Sequence, residues 1–249
     1  MVFKGYFDGG RDTHSKCITL ATACGATKQW NRFNRAWKAI LDAHGAIHGL
    51  HTTDAVALQG QFSKDKGWGR ESVDALISDC VTVIARYIRS IRVVTLTIAL
   101  DDYRRARKVN PYLPTAVSEI CTTECVAFCF RQGNKIGAES FHLIFDQGEP
   151  FYGHVLDRKN NKKAVRKIPN MSKVSFLGEA DARFTPGLQM ADLFAWCINH
   201  NDTVSRQWHG RLHALSWDNL SLPYELLLRP KNGALETIRS WNLPQRKPT

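Results

Sequence analysis

The run IRVVTLTIAL (91–100) is the part of this chain that most restricts its fold. Six of its ten residues are β-branched, so it reads as a buried strand. On its N-terminal side, RESVDALISDCVTVIARY (70–87) carries Val73, Leu76, Ile77, Cys80, Ile84 and Tyr87 at helical spacing. On the other side, PTAVSEICTTECVAFCFRQ (114–132) reads as a helix with Pro114 in its first turn. Strands interleaved with helices imply a layered α/β fold. The other segments agree. VFKGYFD (2–8) and CITLATAC (17–24) read as two strands joined by a short polar turn. KQWNRFNRAWKAILDAHG (28–45) reads as a helix with Trp30, Phe33, Trp37, Ile40, Leu41 and His44 on one face and Gly45 as its stop. FHLIFD (141–146) and KVSFLG (173–178) read as strands. TPGLQMADLFAWCINH (185–200) reads as a helix with Thr185 as N-cap and Pro186 at the first helical position. The remaining tail, from residue 201, reads as helical and irregular, with LSWDNLSLPYELLLRP (215–230) packed on the surface of the core.

Composition narrows the class. A chain of 249 residues with 43% hydrophobic residues and seven tryptophans can bury a substantial core. Its 34 basic and 23 acidic residues give +11, a charge that attracts polyanions, nucleic acid first. No eighteen apolar residues run together, so no membrane span is expected, and the opening residues have no apolar run of the signal-peptide kind. The seven cysteines are odd in number and include no Cys-x-x-Cys pair, which points to reduced thiols and a cytoplasmic location. Cys121, Cys125 and Cys129 recur every fourth residue and read as one core stripe rather than as a metal site.

Two of the strands end in aspartate, Asp8 and Asp146, and the late helix holds Asp192 among Leu, Gln, Met and Ala. Glu119 lies early in the helix before the Asp146 strand. If that helix returns antiparallel to its strand, Glu119 comes near Asp146, with Glu124 as the alternative. Asp8 and Asp146 each also suit a turn, and Glu119 a solvated helix face. Carboxylates converging on one point repel each other unless a cation sits between them. A pair of divalent ions about 3.5–4 Å apart would provide this and would activate water for phosphodiester cleavage. Gly9 and Gly10 would then let a phosphate backbone approach Asp8.

The strings YFDGG, LHTTDA…GQF…GW, IFDQGEP and LQMADLFAW, in this order from Tyr6 to about Trp196, resemble the domain-of-unknown-function 3800 family of bacteria and phages. The resemblance implies a ribonuclease-H-like mixed sheet over residues 1–200, with helices on both faces and a helical insertion at about 29–88. Residues 201–249 would be a C-terminal extension packed on it. It also implies acids on the first strand, on the helix before the fourth strand, at the end of that strand and on a late helix. These roles fall to Asp8, Glu119, Asp146 and Asp192, holding Mg2+ or Mn2+ for hydrolysis that leaves a 3′-hydroxyl and a 5′-phosphate. His51, Thr53 and Asp54 fall in a loop bordering the site, with His51 as a proton carrier. Where many members have Asp-Glu-Ser-Gly, this chain has DGGR (8–11), which lacks the second acid.

His44 and His48 have the spacing of a helical zinc pair, but Gly45 and Gly49 disfavour a regular helix there. The segment RKNNKKAVRKIPNMSK (158–173) has seven basic residues and no acid, and with YRRARK (103–108) it holds much of the excess charge. Such runs are ordinarily solvated faces. This one lies between the Asp146 strand and the Asp192 helix, so Lys159, Lys162, Lys163, Arg166 and Lys167 are expected in a loop that tracks nucleic-acid phosphates. Trp208, Trp217 and Trp241 either stack bases or anchor the tail. The expected function is a metal-dependent nuclease acting on RNA or DNA. The alternative is a non-catalytic nucleic-acid-binding or interaction module on the same fold, and a strand transferase using the same acids is a third option.

Overall fold

Period-two alternation along the strands sorts the apolar side chains onto the two faces of one sheet, and each face acquires its own helices. The computed structural model describes residues 1–12, 16–200 and 206–221. β1 (Val2–Asp12) and β2 (Cys17–Ala26) pair antiparallel, and α1 (Thr27–His44), α2 (Thr52–Ala57) and α3 (Arg70–Tyr87) follow. Next come β3 (Ile91–Ala99), α4 (Leu100–Val109), α5 (Val117–Lys135) and β4 (Ser140–Asp146). The chain continues through α6 (Phe151–Asn160), α7 (Lys162–Lys167), β5 (Val174–Ala180), α8 (Pro186–Asn199), α9 (Gln207–His213) and β6 (Asp218–Ser221). The strand order is β5-β4-β1-β2-β3-β6. β2 runs antiparallel to both its neighbours, while the β1–β4, β4–β5 and β3–β6 pairs are parallel.

On one face Tyr6, Ala21, Ala23, Val93 and Ile144 meet Trp30, Phe33 and Trp37 of α1, the apolar side of α3, and α8. Trp30, Phe33 and Trp37 form a continuous aromatic row, with ring centroids 5.5 and 5.2 Å apart. α8 approaches β1 closely because Gly187 has no side chain; a Cβ there would lie 2.4 Å from the Tyr6 ring. On the opposite face Phe3, Phe7, Ile18, Leu20, Val94, Leu96, Phe141 and Phe145 pack on α5, whose Cys121, Cys125 and Cys129 lie in this core. None of the seven cysteines is in a disulfide. No helix among the described residues is long and apolar enough to cross a membrane.

Several sequence expectations need correction. The first strand does not stop at Asp8 but runs to Asp12, because β2 continues to pair with it. Pro114 precedes α5 rather than sitting in its first turn. The basic stretch YRRARK belongs to α4, which has Asp101 and Asp102 in its first turn and Arg107 and Lys108 in its last, the polarity favoured by the helix dipole. The segment expected as a phosphate-tracking loop is largely helical, forming α6 and α7. The described part of the tail extends the sheet at its edge, through β6 beside β3, and residues 222–249, expected as helical and irregular, lie outside the described residues. Trp208 is buried, its indole Nε1 donating to Asp74 Oδ1 at 2.8 Å, and Trp217 packs on Phe194, so both act as anchors. Trp241 and the turn at 13–15 lie outside the described residues.

Candidate active site

The parallel pairing of β1 with β4 ends at Phe7 and Phe145, while the antiparallel pairing with β2 carries on. Asp8 and Asp146 are each one residue beyond that last pair. By alternation both point to the α8 side of the sheet, as Tyr6 and Ile144 do. Neighbouring strands are about 4.8 Å apart, so these two positions are adjacent. Across the other edge, Asp8 is paired with Ala21, whose small side chain leaves room above it. Asp8 therefore sits in mid-strand and opens no turn. Gly9 stays in the strand for a packing reason: a Cβ there would lie 2.4 Å from the Thr19 carbonyl oxygen. Gly9 is thus required by strand packing rather than by a ligand, whereas Gly10 has nothing within 4 Å of where its Cβ would be. Gly10 lines an open depression of about 400 Å3 with Ile18, Glu149, Pro150 and Phe151.

α8 brings Asp192 over this point, and Gln189, one turn earlier, fixes what lies around it. Gln189 is buried, and its Oε1 accepts from Trp37 Nε1 at 2.7 Å and from the Leu50 N–H at 3.0 Å. Its Nε2 donates to the carbonyls of Ala182 and Arg183 at 2.8 and 3.1 Å. One side chain thus ties α1, the loop before α2 and the 3-10 turn Ala182–Phe184 to α8. Gly49, at φ 74°, lets the loop close on it; a Cβ there would lie 2.2 Å from Gln189 Nε2. The loop then delivers the Thr52 N–H to Asp192 Oδ2 at 2.7 Å, and the 3-10 turn delivers the Ala182 N–H to Asp146 Oδ1 at 3.1 Å. His51 is at the N-cap of α2, with Nδ1 3.1 Å from Asp54 Oδ2, and its charge acts on Asp192. The four-bond role of Gln189 is not visible in sequence, although a glutamine on a helix of otherwise apolar neighbours was its signal.

The carboxylates perturb one another. Burial holds the Asp8 carboxyl well above the usual range, and the charges of Asp192, Asp146 and Glu149 push it further, against the Gly9 N–H. Burial also raises Asp146, opposed by the N–H groups of Gln147 and Ala182, with Asp192 acting in the same sense as burial. Asp192 is raised by burial against the pull of His51 and the Thr52 N–H. Carboxylate oxygens are hard ligands, and a hard divalent cation would relieve such raised protonation. The side-chain positions do not gather them into a cage: among the described residues, no three His, Cys, Asp or Glu side chains are grouped so as to hold a metal ion.

Glu119 does not join this group. α5 covers the opposite face of the sheet, and Glu119 Oε1 accepts from Arg158 Nη2 at 2.9 Å. Glu124 is buried on the same helix. The third carboxylate acting on Asp8, besides Asp146 and Asp192, is Glu149, in the turn after β4. In the sequence it falls within IFDQGEP and is not among the acids that the pattern singles out. Of the basic residues, Lys162, Lys163 and Arg166 are exposed on α7, and the Lys167 side chain lies outside the described residues. Lys159 instead turns inward, Nζ donating to the carbonyls of Met171 and Val174 at 3.2 and 2.5 Å. Its ammonium holds α6 to β5, so the expectation of a phosphate contact there is corrected. His44 is likewise engaged, with Nε2 2.9 Å from Asp79 Oδ2.

No protein-family model, curated protein or solved structure matches this chain.

Proposed function

We propose that the chain is a divalent-metal-dependent nuclease of ribonuclease-H-like architecture, as its resemblance to the domain-of-unknown-function 3800 family implies. The observation that supports this reading is the placement of Asp8 on the first strand, Asp146 at the end of the fourth and Asp192 on a late helix packed on the same face. All three lie on one side of the sheet; the charges of Asp192 and Asp146 raise the Asp8 carboxyl, and that of Asp192 raises Asp146. In this reading Asp8, Asp146 and Asp192 hold Mg2+ or Mn2+, with Glu149 rather than Glu119 as the nearby fourth acid. A bound divalent ion would supply charge neutralisation, an activated water and stabilisation of the leaving oxygen. The chain's own part is positioning. The Thr52 and Ala182 N–H groups orient Asp192 and Asp146, His51 sits where it can carry a proton, and Gly10 leaves the approach open. The exposed Lys162, Lys163 and Arg166 would draw the polyanion in.

One observation favours the second reading, a binding module without catalysis: the carboxylates are not drawn together into a ligand cage. The two readings separate when purified protein is incubated with RNA, DNA and hybrid substrates under magnesium, manganese or chelator. The nuclease reading expects cleavage that requires metal and is lost in Asp146→Asn. Retained nucleic-acid affinity with no cleavage under any metal would establish the binding module instead.

A further inference from the structure

The 3-10 turn Ala182–Phe184 is built as part of the carboxylate site, yet it presents a large apolar ring to solvent. Its first N–H donates to Asp146, and two of its carbonyls accept from the buried Gln189 amide. At its start Asp181 accepts from the Arg183 backbone N–H at 2.8 Å and from its guanidinium, so the arginine's charge is matched in place. Phe184, at the end of this braced turn, is 69% exposed, with the Arg183 guanidinium 5.8 Å from its ring centroid. Isolated exposed apolar residues are common on protein surfaces. This one is held by a turn that hydrogen-bonds directly to a proposed metal-binding carboxylate.

We propose that Phe184 is a stacking platform for an unpaired nucleobase next to the scissile phosphate, so that the preferred substrate is single-stranded. The inference rests on the nuclease reading and deepens it. An exposed aromatic ring fixed beside a phosphate-binding centre binds any base through its π-face, whereas in a duplex the base faces are already stacked. The chain as a whole carries +11, which draws a polyanion toward it, and Arg183 beside the ring is paired with Asp181. Because the ring is exposed, its removal leaves the core untouched.

The test measures equilibrium binding of fluorescent single-stranded and duplex oligonucleotides to the Asp146→Asn protein, with and without Phe184→Ala, beside Phe184→Trp. The expected result is a loss of single-strand affinity of about 5-fold to about 150-fold in Phe184→Ala, the range given by removing stacking aromatics. Duplex affinity should change little, and Phe184→Trp should retain single-strand binding. Unchanged single-strand affinity in Phe184→Ala would overturn the platform while leaving the nuclease reading intact. A parent protein that binds no nucleic acid and, as wild type, cleaves none would overturn both.

Discussion

Replacing Gln189 with leucine tests the claim that one buried amide organises the site. The leucine has nearly the same volume, so the change removes hydrogen bonds without leaving a large cavity. Two donors, the Trp37 indole N–H and the Leu50 N–H, lose their acceptor in the interior. Each orphaned buried donor costs about 1–3 kcal/mol, so the loss is about 2–6 kcal/mol. The carbonyls of Ala182 and Arg183 are only part-buried, can turn to water and add less. With a urea dependence of about 2–3 kcal/mol per molar, the unfolding midpoint should fall by roughly 0.7–3 M at unchanged slope. A double-mutant cycle isolates the cause. Trp37→Phe removes one of the stranded donors, so it should cost less in the Gln189→Leu background than in the wild type. A midpoint shift below about 0.3 M, or strict additivity of the two substitutions, would refute the argument that Gln189 bridges α1, the loop before α2 and the turn after β5.

Three further outcomes follow from the site. Because the folded-state pKa of Asp8 is raised, folding protonates it relative to the unfolded chain; stability therefore falls as pH rises from the unfolded value near 3.9 through the folded one. Asp8→Asn should raise the thermal midpoint at neutral pH by about 2 °C or more, flatten that pH dependence and abolish metal-dependent cleavage; an unchanged or lower midpoint would count against a buried, charge-strained Asp8. On the basic helices, Lys162→Ala, Lys163→Ala and Arg166→Ala should each lower the salt slope of nucleic-acid binding by about 0.7–0.9 without loss of stability, whereas Lys159→Ala should lower the unfolding midpoint with little change in slope. His51→Ala should slow turnover while thermal stability stays within about 0.5 kcal/mol, since the His51–Asp54 pair is half exposed; unchanged turnover removes His51 from the chemistry.

Local patterns in the chain announce most of the elements. The β-branched density of 91–100 and the 3.6-residue spacing of 70–87 mark β3 and α3, and Gly45 ends α1 in the left-handed conformation that a stop signal implies. Thr185 and Pro186 mark the start of α8. These features depend on neighbours within a few residues, so they are legible in a linear string. The pairing of β6 with β3 is not, because a four-residue strand in a polar tail becomes a strand only when a sheet edge is offered to it.

The same division holds for the site. The sequence alone singles out Asp8, Asp146 and Asp192 as acids in apolar surroundings, and it places a late helix after the last strand of the α/β series. Which acids share a face was decided by the tertiary structure. Pleat alternation turned Asp8 and Asp146 toward α8, while α5 took Glu119 to the other face, where Arg158 claims it. Glu149 reached Asp8 through a turn whose course depends on β4 ending where β1 continues. Side-chain type is written residue by residue, but the face a residue occupies and the partner that neutralises it depend on strands and helices far apart in the chain.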